Sequence, residues 1–501
     1  MKRFITLLLA IIIIMSSMTV SAFAVENEVN VTLDGYRLVF DVPGRLIEGR
    51  TMVPVRTIFE SLGATVEYNG ETKEVTAFRG DDTVKLTIGE PELYKNDELV
   101  YTMDVLPVII EENGESRTLV PARAVSEALG AVVDWEAETR TAIITNVTDD
   151  TVMMIGDFPV DYDTYAYYCN SLILSYLPDP AILEADPALT ESFKALVLET
   201  IINDYSINDL AVTVGYTPYD PAFAEAVDSA LATYISQYGD AFETVLSESY
   251  MTPDVFKNLL VSTTFNTAML NSFYAEASTL SAEEQVKMLM ESETLVRAAH
   301  ILVEDITVAE GLLEEAQNAS DEEFVRLATE IGTDPGMAGN ADGYYFTPGQ
   351  MVESFENAVY SLNENETSGI VESDYGYHII RRLPKDEEYV LANTADILQG
   401  YITSEYYLSV IANAQVLASE LSLLEKYNEI DIIEDFIKPF YETIELTEDE
   451  ISGNDKDENS DSETIDEVIV DGDSYTEENP ESNNDAEDTV ESDYDKFKKL
   501  I

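Results

Sequence analysis

The chain has 501 residues, 98 of them acidic and 27 basic, for a formal net charge of −71 at neutral pH. A field of that sign repels phosphate backbones and anionic lipid surfaces, so nucleic acid and acidic membranes are excluded as partners. Two histidines, His300 and His378, and one cysteine, Cys169, give no zinc-ligand spacing and no intramolecular disulfide. No metal or cofactor is expected, and the length has room for several hydrophobic cores.

At the start, Lys2 and Arg3 precede an apolar run from Phe4 to Met15, and small residues lead to Ala22-Phe23-Ala24. This is the pattern of a secretory signal peptide, residues 1–24, with an A-x-A cleavage site. Its apolar run is shorter than the ~20 residues a spanning helix needs. The expected location is outside the cytoplasmic membrane, secreted or associated with the cell envelope. With no cysteine at the cleavage site, a lipoprotein is not expected.

Residues 27–147 contain an internal repeat: RTMVPVRTIFESLGATVEYN from Arg50 returns as RTLVPARAVSEALGAVVDWE from Arg117. Each copy reads as strand, helix, strand, with Gly63 or Gly130 where a helix C-cap belongs. The two copies resemble the copper amine oxidase N-terminal domain, a stalk module of exported bacterial proteins. The region has no histidine, so copper oxidase chemistry is excluded. Arg56 and Arg123 hold matching positions and read as ion-pair partners at a helix start. A cell-wall glycan is the ligand considered for this β-rich α+β domain.

From 152 to 291 the text turns to long amphipathic helices. In TPDVFKNLLVSTTFNTAMLNSFY, Thr252 caps, Pro253 takes the first turn, and Val255, Leu259, Phe265 and Leu270 recur at near-helical spacing. Helical text resumes over 388–437, and the two blocks are expected to form one all-α, chaperone-like lobe. Tyr165, Tyr168, Phe223 and Tyr234 read either as helix core or as exposed aromatic surface that holds unfolded chains. Beyond it, 443–501 reads as a disordered acidic tail: the span 447–496 carries 21 Asp and Glu against Lys456 and Lys496.

Both histidines fall in the segment between the helical blocks, 292–386. It reads as strand (298–303), helix (307–318), helix (320–331), strand (344–346), helix (352–362) and two strands (369–372, 377–382), a small antiparallel sheet covered by helices. Ser320 and Glu323 form a capping box, with Phe324, Leu327, Ala328 and Ile331 on one face. AAHILVE, ATEIGTDPG, FTPGQMVESFENAVYSL and SGIVESDYGYHII resemble, in order and with similar spacing, the parvulin family of peptidyl-prolyl cis/trans isomerases. The flanking helices resemble, by layout, exported foldases of the PrsA and SurA kind.

That resemblance implies an inserted α+β parvulin domain with a four-stranded antiparallel sheet. It also implies a catalytic set of His300, His378, Asp334 and Ser373, and a proline-ring site of Met351, Phe355 and Phe346. One departure stands out. Where the family often has Gly-Asp-Leu-Gly-x-Phe, this chain has Ala341-Asp342-Gly343-Tyr344-Tyr345-Phe346, so the pocket leucine is absent, and Tyr344 joins the substrate-binding candidates.

Chemically, the barrier at an X-Pro bond comes from amide resonance, and an enzyme need only favour the twisted amide. Glu304-Asp305 follows the first strand, where a phosphate-directed relative would need basic residues. The expected partners are unfolded exported proteins containing X-Pro bonds. Two functions stay open on the sequence: an exported isomerase and chaperone, or a non-catalytic holdase or wall-binding protein with a degenerate parvulin domain.

Overall fold

The computed structural model describes residues 28–439 apart from 113, 178–179 and 340–342. The signal peptide expected at 1–24, the tail expected over 443–501, and Ala341 and Asp342 lie outside the described residues. The described chain divides into two compact units. One comprises Tyr205–Val227 and Leu260–Ser419; the other comprises the residues up to Asp204, Asp228–Leu259 and those from Glu420.

In the second unit the repeat takes the form its sequence predicts. Strand Arg50–Pro54 feeds helix Val55–Ser61, and strand Glu115–Pro121 feeds helix Ala122–Ala128. Gly63 (φ +77°) and Gly130 (φ +93°) follow the helix ends in the left-handed region that only glycine adopts freely. The two strands pair antiparallel with Val53 opposite Val120, its own counterpart in the other copy. A local twofold axis therefore relates the repeats, and it lies in the core, since Val53, Val120, Phe59 and Val125 are all fully buried. Arg56 and Arg123 each meet a glutamate one turn on, Glu60 at 3.3 Å and Glu127 at 3.8 Å, on the solvent side.

Two stretches read as helical are strands. Thr151–Ile155 and Phe158–Asp161 form a hairpin, and Leu421–Leu423 pairs with Thr151–Ile155 as its third strand. The cause is local: Gly156 at φ +56° begins a two-residue turn with Asp157, and that turn favours a hairpin over a helix. The first helix begins only at Tyr162, where the Asp161 carboxylate accepts the Thr164 amide at 2.8 Å.

Of the two readings of the helix aromatics, core and exposed surface, core holds for most of them. Tyr165 and Tyr168 are buried, and the Tyr168 hydroxyl donates to Asp204. Phe223 is half-buried against Phe265, with ring centres 4.5 Å apart. Tyr234 alone of the four is exposed. Large rings on a helix stripe bury more apolar area than any other side chain, so the core claims them first. Cys169 is also buried, and burial pushes its thiol well above the usual range, which leaves it unreactive.

The first unit holds the histidine segment. Its elements are strand β1 (Val296–Val303), helices α1 (Ile306–Asn318), α2 (Asp321–Glu330) and α3 (Pro335–Gly339), strand β2 (Tyr344–Phe346), helix α4 (Glu353–Ser361), and strands β3 (Thr367–Ser373) and β4 (Gly376–Leu383). The sheet order is β2-β1-β4-β3, antiparallel throughout. The capping box of Ser320 and Glu323 starts α2. Sequence reading missed α3, a five-residue helix that starts on Pro335 and ends on Gly339 and so resembles a plain turn.

Both faces of the sheet are covered, which is why β1 is apolar almost throughout. Ala299, Ile301 and Val303 meet Phe324, Leu327 and Ala328 of α2 on one face. Val296 and Ala298 meet Phe355 and Val359 of α4 on the other. Arg297 pairs with Leu383, so the chain enters and leaves the segment side by side. Within the same unit, the Ser404 hydroxyl of helix Thr394–Ala418 donates to the Pro348 carbonyl at 3.1 Å. Thr294 donates to Glu405 at 2.6 Å, and Tyr345 stacks on Tyr389.

Candidate active site

The period-two alternation of strands puts His300 on the α4 face of β1, in line with Val296 and Ala298. His300 faces Ile380 and His378 faces Leu302 across the β1/β4 ladder, so the two imidazoles are diagonal neighbours on one face. Their Nδ1 atoms are 2.9 Å apart with ring planes 13° from parallel, as an in-plane N–H···N bond requires. The Phe355 ring stands edge-on to both, with centres 5.1 Å from His300 and 5.6 Å from His378.

Each histidine has one further partner. His300 Nε2 lies 2.9 Å from Asp334 Oδ2, and His378 Nε2 lies 2.6 Å from Ser373 Oγ. Asp334 reaches the site because the Thr333 amide and hydroxyl both donate to the Leu302 carbonyl of β1, at 2.9 and 3.1 Å. It also opens α3, accepting the Gly336 amide on Oδ1 and the Met337 amide on Oδ2, each at 3.1 Å. Met337 is fully buried and anchors that turn. Ser373 ends β3 at a two-residue turn to Gly376, and its hydroxyl oxygen accepts the Tyr375 amide at 3.1 Å.

For neutral imidazoles, the form burial favours, these contacts fix the tautomers. A carboxylate only accepts, so His300 carries its proton on Nε2 and accepts on Nδ1. His378 then carries its proton on Nδ1 and accepts the Ser373 O–H on Nε2. Ser373, His378, His300 and Asp334 thus form one chain of bonds pointing the same way, with both imidazoles neutral.

The electrostatics agree. Burial is the main cause that lowers His378, reinforced by the neighbouring His300, and its pKa is pushed down to about 4. His300 is also lowered by burial, against the opposing pull of Asp334. The contact between His300 and Asp334 is therefore a hydrogen bond to a carboxylate, with no formal cation. Burial alone would raise Asp334, but hydrogen bonds from Tyr344, His300 and Gly336 outweigh it and hold the carboxyl below its usual range.

The apolar candidates lie beside this chain. Phe346 and Phe355 are buried with ring centres 5.9 Å apart, and Met351 is partly exposed against the same cluster. Tyr344 behaves differently from an apolar wall: its ring is edge-on to His300 and its hydroxyl donates to Asp334 Oδ2 at 2.7 Å. That link escaped sequence reading, because the two residues meet only through the pairing of β2 with β1.

A PPIC-type PPIASE domain matches residues 275–385, and a copper amine oxidase N-terminal domain matches residues 32–144. Foldase protein PrsA 1 of Listeria innocua is 32% identical over 220 residues, which cover 43% of this chain and 67% of the relative. The chain belongs to the PrsA foldase family. A foldase protein PrsA of Geobacillus kaustophilus is 44% identical over 94 residues, 19% of this chain and 33% of its own length. The crystal structure of PrsA from Bacillus anthracis superposes with a TM-score of 0.25 at 23% identity, covering 45% of this chain and 96% of that one. The foldase is a peptidyl-prolyl isomerase of the parvulin type, with the matched domain spanning the histidine chain.

Proposed function

We propose that this isomerase acts on unfolded exported proteins outside the cytoplasmic membrane, with Asp334 as its catalytic group. His300, His378 and Ser373 position it, and Met351, Phe355 and Phe346 form the surface for the proline ring. The observation that carries this reading is the unbroken chain from Ser373 to Asp334. Amide resonance places negative charge on the carbonyl oxygen. A fixed carboxylate beside that oxygen disfavours the resonance form, weakens the double-bond character of C–N and favours the twisted amide. Neither imidazole then needs to gain or lose a proton during turnover.

Substrates need no phosphate. Where a dianion would require Lys or Arg, Glu304 and Asp305 stand, and Asp305 is committed to capping α1 through the Thr307 amide at 2.8 Å. The test is proline-limited refolding of an unfolded protein by the whole chain lacking residues 1–24. Acceleration is expected, and a trace identical to the uncatalysed one would leave only holding activity.

A cell-wall glycan is the proposed partner of the repeat domain. What supports it is a cleft of about 420 Å³ lined by Arg50, Tyr101, Asp104, Arg123, Asp134 and Trp135. Trp135 is exposed, and it is the one tryptophan of the chain. An aromatic face can cover the C–H side of a sugar ring while paired guanidinium and carboxylate groups bond its hydroxyls. Because the chain has one tryptophan, its fluorescence reports on this cleft alone. Titration with soluble wall fragments should shift that emission, and an unchanged spectrum at saturating wall binding would place the ligand elsewhere.

A further inference from the structure

The carboxylate of Asp334 is held from one more side than the histidine chain accounts for. Tyr344 enters β2 directly after Gly343, and its phenol reaches Asp334 Oδ2 at 2.7 Å, on the same oxygen that His300 Nε2 and the Met337 amide use. Space for that hydroxyl exists only because residue 336 is glycine. A Cβ built on Gly336 would stand 1.7 Å from the Tyr344 hydroxyl oxygen and 3.4 Å from Asp334 Oδ1. The phenol therefore occupies the volume of a missing side chain. Tyr344 also packs on the cores of both sheet faces, which fixes the ring and leaves its hydroxyl a single direction.

We infer that Tyr344 is a positioning residue of the isomerase site, whose hydroxyl fixes the Asp334 carboxylate together with His300, with Gly336 supplying the space this requires. The inference rests on the reading of Asp334 as the catalytic group. Tyr344 stands in the turn where this chain departs from Gly-Asp-Leu-Gly-x-Phe, and its hydroxyl gives the departure a use: a second side-chain donor replaces an apolar contact. With two side-chain donors on Oδ2, the carboxylate stays in place when a substrate displaces solvent from it. Burial raises the phenol and so does its bond to Asp334, so the hydroxyl stays protonated and keeps donating.

Tyr344→Phe removes the donor and keeps the ring. In the whole chain, kcat/KM for a prolyl peptide should fall about tenfold, as for loss of a hydrogen bond to a charged group. KM should stay the same, and the acid limb of the pH profile should move up by about one unit. Gly336→Ala, which pushes the hydroxyl away, should give the same shift, and the double variant should be no worse than either single one. A wild-type pH profile in Tyr344→Phe, or strictly additive losses in the double variant, would overturn the inference. Direct titration of the Asp334 carboxyl by carbon NMR, assigned with Asp334→Asn, needs no turnover. A raised pKa in Tyr344→Phe supports the link, and an unchanged one refutes it. Absence of isomerase activity in the wild type would instead defeat the reading of Asp334 as catalytic, while the titration still decides the contact.

Discussion

A carboxylate meets a nitrogen donor in both the repeat domain and the isomerase segment, with opposite exposure. Arg50 pairs with Asp104 at 2.6 Å while both side chains stay more than half exposed, at 53% and 61%. His300 and Asp334 meet at 2.9 Å with 8% and 19% exposure. Water can replace either partner of the first pair, so its geometry is optional and its groups stay available to a ligand. Within the second, each polar atom must be matched by another, because an unpaired buried group keeps its full desolvation penalty. The difference between the regions is one of obligation: the buried chain works whole or not at all.

Asp334→Ala in the whole chain strips the buried chain of its terminal acceptor. Isomerisation should fall by about 10²–10³-fold, the usual loss for a preorganised electrostatic group, while peptide affinity changes little. An equal loss in affinity would mean that Asp334 binds the ground state and that the chain of bonds is only structural.

Next in size is the dependence of stability on acid. His378 has a native pKa of about 4 against an ordinary value of 6.5. Between those values the unfolded chain binds a proton that the native one refuses. Its contribution is therefore complete above 6.5 and is lost as pH falls towards 4, in total about 3 kcal/mol. Denaturant unfolding at a series of pH values should show this slope in the wild type and a smaller one in His378→Asn. Parallel slopes would mean that His378 is protonated in the native state, with its Nε2–H donating to the Ser373 hydroxyl oxygen.

A smaller effect is expected from the substrate. Phosphoserine before proline should lower turnover several-fold, since Glu304 and Asp305 flank the end of β1 and like charges repel. A gain in turnover over the unmodified peptide would require an unrecognised basic site.

What the sequence revealed and what it hid follow one physical line. Local signals were legible: the capping box of Ser320 and Glu323, the paired glycines Gly63 and Gly130, and the apolar text of β1 all act within a few residues. Depth was not: Tyr165 and Tyr168 are core and Tyr234 is exposed, and no neighbouring residue tells them apart. Gly156 carried the signal for the hairpin, but Val152, Met153 and Ile155 are equally apolar in helix or strand. Leu421–Leu423 had no local mark, because its strand exists only through pairing with Thr151–Ile155. The link from Tyr344 to Asp334 had none either, since it needs β2 beside β1 and a vacant position at 336.

The smallest predicted effect lies within the repeat domain itself. Arg117 is the counterpart of Arg50 across the local twofold axis, and it pairs with Asp41 at 2.5 Å with exposures of 34% and 48%. The same residue type thus sits at two degrees of burial in one fold. Arg50→Ala should leave the thermal midpoint unchanged within error, because its partner Asp104 is freely solvated once alone. Arg117→Ala should lower it slightly more, since its partner Asp41 recovers less water when left unpaired. Differential scanning calorimetry on both variants decides this. A drop of more than about 4 °C for Arg50→Ala, the shift expected for roughly 1 kcal/mol in a domain of this size, would mean that the exposed pair is as obligatory as the buried chain.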